Sequence, residues 1–147
     1  MFKHILIPTD GSPASKQAIA AAVTLAASLR AKVTGLYVAP PPTPIVYKNY
    51  LPSGYLPPEE HAAMIERASA KQLAVIAQAA RNASVDYKGV SVTSDFPADT
   101  ILAAAKKHKC DLIFMASHGH RGLAGAILGS QTQKVLAHAT IPVVVYR

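Results

Sequence analysis

Five short apolar runs separated by four helical stretches leave this chain few ways to fold. The runs are Ile5-Leu6-Ile7, Lys32 to Val38, Tyr87 to Thr93, Leu112 to Met115 and Ile141 to Tyr146. Helical patterns lie between them, from Pro13 to about Arg30, Glu59 to Asn82, Pro97 to Lys109 and Ser130 to His138. In the first of these, Ile19, Ala22, Val23, Ala26 and Leu29 fall on one face. Ser12-Pro13 reads as an N-cap followed by a first-turn proline. Crossovers of this length join parallel strands. The runs are mostly apolar throughout rather than alternating, as expected of strands covered on both faces. The expected fold class is therefore α/β: a single open five-stranded parallel sheet with helices on both faces, one domain over residues 1–147. Such sheets bind ligands outside the carboxyl ends of their strands, where the winding reverses. The loops expected there are Pro8-Thr9-Asp10, the segment after Val38, and Ser117 onward.

One segment breaks the alternation. From Pro40 to Pro58 the chain carries seven of its eleven prolines, together with Tyr47, Tyr50 and Tyr55. Proline removes a backbone donor, so this stretch is expected to be neither a helix nor a central strand. A mobile insert over 40–58 is expected, a flap leaving the carboxyl end of the second strand, with tyrosines able to cover a base or meet a partner.

Composition narrows the class. Half of the 147 residues are hydrophobic and 16% are charged, which excludes compositional disorder. No apolar run approaches the ~18 residues of a membrane span, and the N-terminal residues lack a signal-peptide layout. The single cysteine, Cys110, rules out an internal disulfide framework and suits a reducing cytoplasm. It reads as a structural thiol, although neighbouring lysines could depress its pKa. A formal charge of +7 favours anionic partners. The basic residues are nevertheless scattered along the sequence, and the one local cluster, Lys106-Lys107-His108-Lys109, closes a helix where cations complement the dipole. With no helix-turn-helix, zinc-finger or RNA-binding aromatic signature, no specific nucleic-acid partner is expected.

The chemistry is concentrated late in the chain. Ala116-Ser-His-Gly119, nine residues and then Gly129-Ser130 follow an apolar run and precede a helix. Glycines let backbone N–H groups approach an anion, and a helix start adds free N–H donors and the positive end of a dipole. The competing reading is an ordinary glycine turn with a serine N-cap. Asp10 could accept hydrogen bonds from ribose hydroxyls or reach magnesium through water, or it could stabilise an Asx turn. Arg121 and His120 could line phosphates or lie exposed on a loop. His118 reads as a structural hydrogen bonder before a catalyst.

Other chemistries find little support. The chain has no G-x-x-x-x-G-K-[ST] stretch and no G-x-S-x-G elbow. Gly119-x-x-Gly122-x-x-Gly125 has the wrong spacing and follows the wrong strand for a dinucleotide fingerprint. His118 and His120 lack companions for a metal site, and no close carboxylate pair suggests acid–base work. No catalytic residue is assigned.

Pro8-Thr-Asp-Gly-Ser12, Leu36-Tyr-Val38, the late glycine motif and Pro142-Val-Val-Val-Tyr146 together resemble the universal stress protein family over essentially the whole chain. Ala116 departs from the pattern, standing where the family's signature has its first glycine. The resemblance implies a Rossmann-like fold of the adenine nucleotide alpha hydrolase-like group. It implies a nucleotide site made of Pro8, Thr9, Asp10, Val38, Met115, Ala116, Gly119, His120, Arg121, Gly129, Ser130 and Gln131, with Val38 on the adenine side. The implied ligands are ATP, or AMP or ADP, with Mg. The implied assembly is a homodimer through the C-terminal strand, 141–146. The corresponding function is a cytoplasmic ATP-binding sensor or signalling protein of the stress response. The alternatives are a slow ATPase or nucleotide-transferring enzyme of the same fold, and an interaction module without nucleotide; an unknown protein partner is compatible with each.

Overall fold

The computed structural model describes residues 1–41, 57–120 and 128–147. The strands are β1 (His4–Thr9), β2 (Lys32–Ala39), β3 (Tyr87–Thr93), β4 (Leu112–Ala116) and β5 (Val143–Tyr146). The helices are α1 (Pro13–Leu29), α2 (Pro58–Asn82), α3 (Pro97–Lys107) and α4 (Ser130–His138). All four strand pairings are parallel, in the order β3-β2-β1-β4-β5. The winding runs outward from β1 to β3, then restarts on the other side of β1 with β4. The switch point therefore lies between β1 and β4.

Side-chain alternation along β1 splits the core in two. Ile5 and Ile7 join Ala18, Ile19, Ala22 and Val23 of α1 and Ile76 of α2 on one face. Leu6 joins Ile101 of α3, Met115 and Val135 of α4 on the other. Ile5, Leu6 and Ile7 are fully buried, each contributing about 1.5–3 kcal/mol of hydrophobic stabilisation. The expected two-sided cover holds for β1 and β4. It fails for β3 and β5, which flank the sheet, and every residue of β3 is at least partly exposed.

Local chemistry sets the element ends. Ser12 caps α1, its hydroxyl accepting from Ser15 N at 3.1 Å, with Pro13 in the first turn. Three expected boundaries are corrected. Pro58 belongs to α2 and not to the preceding insert, because a first-turn proline sacrifices no helical hydrogen bond. Helix α3 stops at Lys107, since Lys109 takes a left-handed conformation (φ 56°). Strand β5 starts at Val143 rather than Ile141; Pro142 has no N–H to give, though its carbonyl accepts from Ile113 N. Residues 42–56 of the proline-rich insert, with its three tyrosines, lie outside the described residues.

Candidate functional site

At the carboxyl end of β1 the chain turns sharply into α1. Gly11 adopts φ 79°, a left-handed conformation that favours glycine, and a Cβ there would also push aside the end of the Gln72 side chain of α2. Thr9 is buried and its hydroxyl accepts from Gly11 N at 3.1 Å. The turn holds Asp10 at the switch point.

Three donors converge on the Asp10 carboxylate. Oδ1 accepts from Ser12 N at 2.9 Å and from the Ser15 hydroxyl at 3.0 Å. Oδ2 accepts from His120 N at 2.9 Å, across 110 residues of sequence. Burial works to raise the carboxyl's pKa, but the bonds from Ser12, His120 and Ser15 outweigh it and hold the group below its ordinary value. Asp10 is thus a fixed anion. The Asx-turn role and the site role coexist here: one oxygen serves the helix start, the other the opposite loop.

That loop leaves β4 beside Asp10 and returns as α4. A Cβ on Gly119 would collide with Asp10 Oδ2, so glycine here lets the loop backbone come up against the carboxylate. The loop's two ends are pinned together. Gly129 N donates to Ser117 O at 2.6 Å, and a Cβ on Gly129 would lie 3.2 Å from that same oxygen. Thr132 Oγ1 donates to Ala116 O at 3.0 Å, and Gln133 Nε2 to Leu128 O at 3.0 Å. The Ser117 hydroxyl and His118 Nδ1 share a hydrogen bond of 2.9 Å, consistent with a structural His118.

The helix start differs from the serine-capped reading. Gly129 is the N-cap of α4 and Ser130 its first residue; no described side chain caps the helix. Ser130 is exposed. Gln131 turns away, its Oε1 accepting from Ala98 N at 3.1 Å and so capping α3. Its backbone, not its amide, remains at the loop. Arg121 lies outside the described residues.

Ala116 settles without strain. It is the last residue of β4, 7% exposed, its backbone outside the left-handed region, and its methyl packs in the α1-side core. Met115 points to the opposite core, on the face shared by Leu36 and the half-buried Val38. Pro8 is partly exposed, between Leu36 on β2 and the turn. The structure therefore gathers Thr9, Asp10, Gly119, His120, Gly129 and Ser130 at one switch point, with Pro8, Val38 and Met115 alongside. It adds Ser15 and Thr132, which sequence reading missed. Ser15 had one signal, its spacing three residues after a serine cap. Thr132 had none. Among the described residues no three His, Cys, Asp or Glu side chains cluster as a metal site. Cys110 is buried, and desolvation first, then the Asp111 charge, push its thiol up to about 11. It is a packing residue and not a reactive one.

The profile of the universal stress protein family matches residues 1–147. A universal stress protein from Thermus aquaticus, encoded 3′ of a QAH/OAS sulfhydrylase, is 35% identical over 147 residues, covering all of both chains. A universal stress protein solved in complex with cAMP superposes with a TM-score of 0.67 at 22% identity, covering 99% of this chain and 97% of its own. One from Archaeoglobus fulgidus in complex with dAMP gives 0.66 at 14% identity, covering 100% and 98%.

Proposed function

The chain belongs to the universal stress protein family, and on that premise we propose that it binds an adenine nucleotide, ATP in the first instance, at the β1–β4 switch point. Occupancy of that site would be the signal the protein carries in the stress response. One observation carries this reading: Asp10 meets Gly119 and His120 where Gly129 returns to the Ser117 carbonyl. Two strand ends and a helix start thereby meet at one place, and the N–H groups that open α4, from Ser130 to Thr132, are left for a phosphate. Relatives of the same fold hold cAMP and dAMP, which favours the adenine class.

The roles follow from position. The Gly119 N–H and the N–H groups that open α4 would hold phosphates, with the His120 N–H already given to Asp10. Val38, with its apolar side chain at the end of β2, would border the base. Asp10, kept ionised, would accept from ribose hydroxyls or hold a magnesium ion through water. Ala116 is compatible with this, because its methyl packs in the core on the α1 side. A second copy would pair along β5.

Calorimetric titration with ATP, AMP and cAMP, with and without magnesium, tests the reading. One nucleotide per chain is the expected result; no heat and no thermal shift at millimolar nucleotide would overturn it. Gly119→Ala sets a methyl against Asp10 Oδ2 and should weaken binding at least tenfold while leaving the sheet folded by circular dichroism.

A further inference from the structure

The basic residues that look scattered in the sequence converge at the end of the sheet opposite the nucleotide cleft. Lys32 opens β2, Lys88 is the second residue of β3, and Lys3 immediately precedes β1. Lys109 leads into β4, while Arg30 closes α1 and Lys107 closes α3. All six are exposed. The pairing fixes their order. His4 lies opposite Lys32 and Thr34 opposite Lys88, while Ile5 lies opposite Leu112. Four adjacent strands, β3, β2, β1 and β4, thus carry Lys88, Lys32, Lys3 and Lys109 near this rim, with Lys88 two residues further along the sheet than Lys32 and Lys3 one residue before it. At about 4.8 Å between strands this row is about 14 Å long.

Carboxylates are sparse there. Only Asp86 and Asp111 share the edge; Asp10, Glu59, Glu60, Asp95 and Asp99 sit at the other end, near strand ends and helix starts. Asp111 is already engaged, accepting from Lys3 N at 2.9 Å and His4 N at 3.0 Å. None of the six cations forms an ion pair among the described residues.

Helix dipoles explain part of this pattern, since cations suit the ends of α1 and α3. They do not explain Lys3, Lys32 and Lys88, which attend strand starts. The crowding is felt by the neighbouring imidazoles. His108 has its pKa lowered by burial first, then by Lys88 and Lys107; His4 by burial first, then by Lys32 and, more weakly, His108. Asp111 opposes this at His4 without cancelling it. His108 Nε2 is sealed from water with no hydrogen-bond partner among the described residues. Like charges gathered at this cost are relieved by an anion arriving from outside.

We propose that this edge, with its row of Lys88, Lys32, Lys3 and Lys109 flanked by Arg30 and Lys107, binds the phosphate backbone of a nucleic acid strand without regard to sequence. A staggered band of cations, one per strand, suits a chain of phosphates. It suits a lipid surface less, because among the described residues Met1 is the one exposed large apolar side chain beside it. No aromatic platform or amide pair accompanies the row, so base readout is not expected. The inference is independent of the nucleotide reading.

The test is fluorescence anisotropy of the full chain with a labelled single-stranded oligonucleotide of ~20 residues. If about four phosphates are neutralised, affinity should fall about 50-fold between ~50 and ~200 mM salt. The triple variant Lys32→Gln/Lys88→Gln/Lys107→Gln, which keeps Lys3 and Lys109 of the row, should bind weakly and lose only about 7-fold over the same range. The charge-matched control Arg67→Gln/Lys71→Gln/Lys134→Gln, altered on exposed faces of α2 and α4, should behave as wild type. Millimolar ATP, at constant ionic strength, should displace nothing. No binding at low salt, equal loss in the charge-matched control, displacement by ATP, or capture by phosphatidylserine vesicles with no oligonucleotide binding would each overturn the proposal.

Discussion

Asp10 shows how one side chain can close a site before any ligand enters. It bonds forward to the helix it precedes and sideways to a loop 110 residues later. Because its folded pKa is depressed below 3.8, the sign of its contribution is fixed. Above about pH 4 both folded and unfolded forms are ionised, and the stabilisation is complete; it is lost as pH falls through the folded value. Thermal melts from about pH 6 to pH 2.5 should show wild type above Asp10→Asn, with the gap narrowing at the acid end. A gap of constant size would remove the carboxylate from the account. Asp10, Gly119 and Gly129 were legible in the sequence because glycine spacing and a strand-end acid carry a pattern. Ser15 and Thr132 were not, nor was the turning away of Gln131. Their partners are backbone groups on other elements, and only the folded chain brings Ala98 N within 3.1 Å of residue 131.

Elements were read more accurately than their ends. Apolar runs and helical faces located all five strands and four helices, since burial periodicity is set by neighbours in the chain. The ends depend on single backbone angles. Three helices run into strands through a left-handed residue that is not glycine: Arg30 at φ 55°, Ser84 at 56° and Lys109 at 56°. Each turn repeats the same pair of bonds, as in Ser84 N to Arg81 O at 3.1 Å and Val85 N to Ala80 O at 2.8 Å. No sequence signal marks such turns when glycine is missing. The conformation costs an L-residue about 1–2 kcal/mol, part of which glycine would return as unfolded-state entropy. Ser84→Gly, at the rim away from the cleft and beside Lys3, Arg30 and Lys32, should therefore stabilise by about 0.5–1 kcal/mol and raise the melting temperature by about 2 °C. Urea unfolding with an unchanged slope would confirm it; a lower midpoint would show that the serine is held by something besides its backbone.

For the whole molecule the two sheet edges are unequal. Strand β3 turns Lys88, Ser91 and Thr93 to solvent, while β5 offers three half-buried valines and Tyr146, whose ring lies 6.0 Å from Phe114. A polar edge resists pairing and an apolar one invites it. The proposed antiparallel pairing of β5 with its copy would close a two-fold dimer. Light scattering at micromolar concentration should return twice the 15.5 kDa chain mass, and Val144→Pro should shift it toward the single chain. A wild-type mass of one chain would dismiss the pairing. Parallel strands have a further effect. Because all five point the same way, every strand start lies at one rim and every strand end at the other. Six residues of β1 separate the rims by about 20 Å, more than twice the ~8 Å over which charges sense one another at physiological ionic strength. A nucleotide arriving at one rim is therefore electrostatically invisible at the other. Any message between them has to travel as movement of the strands and helices themselves.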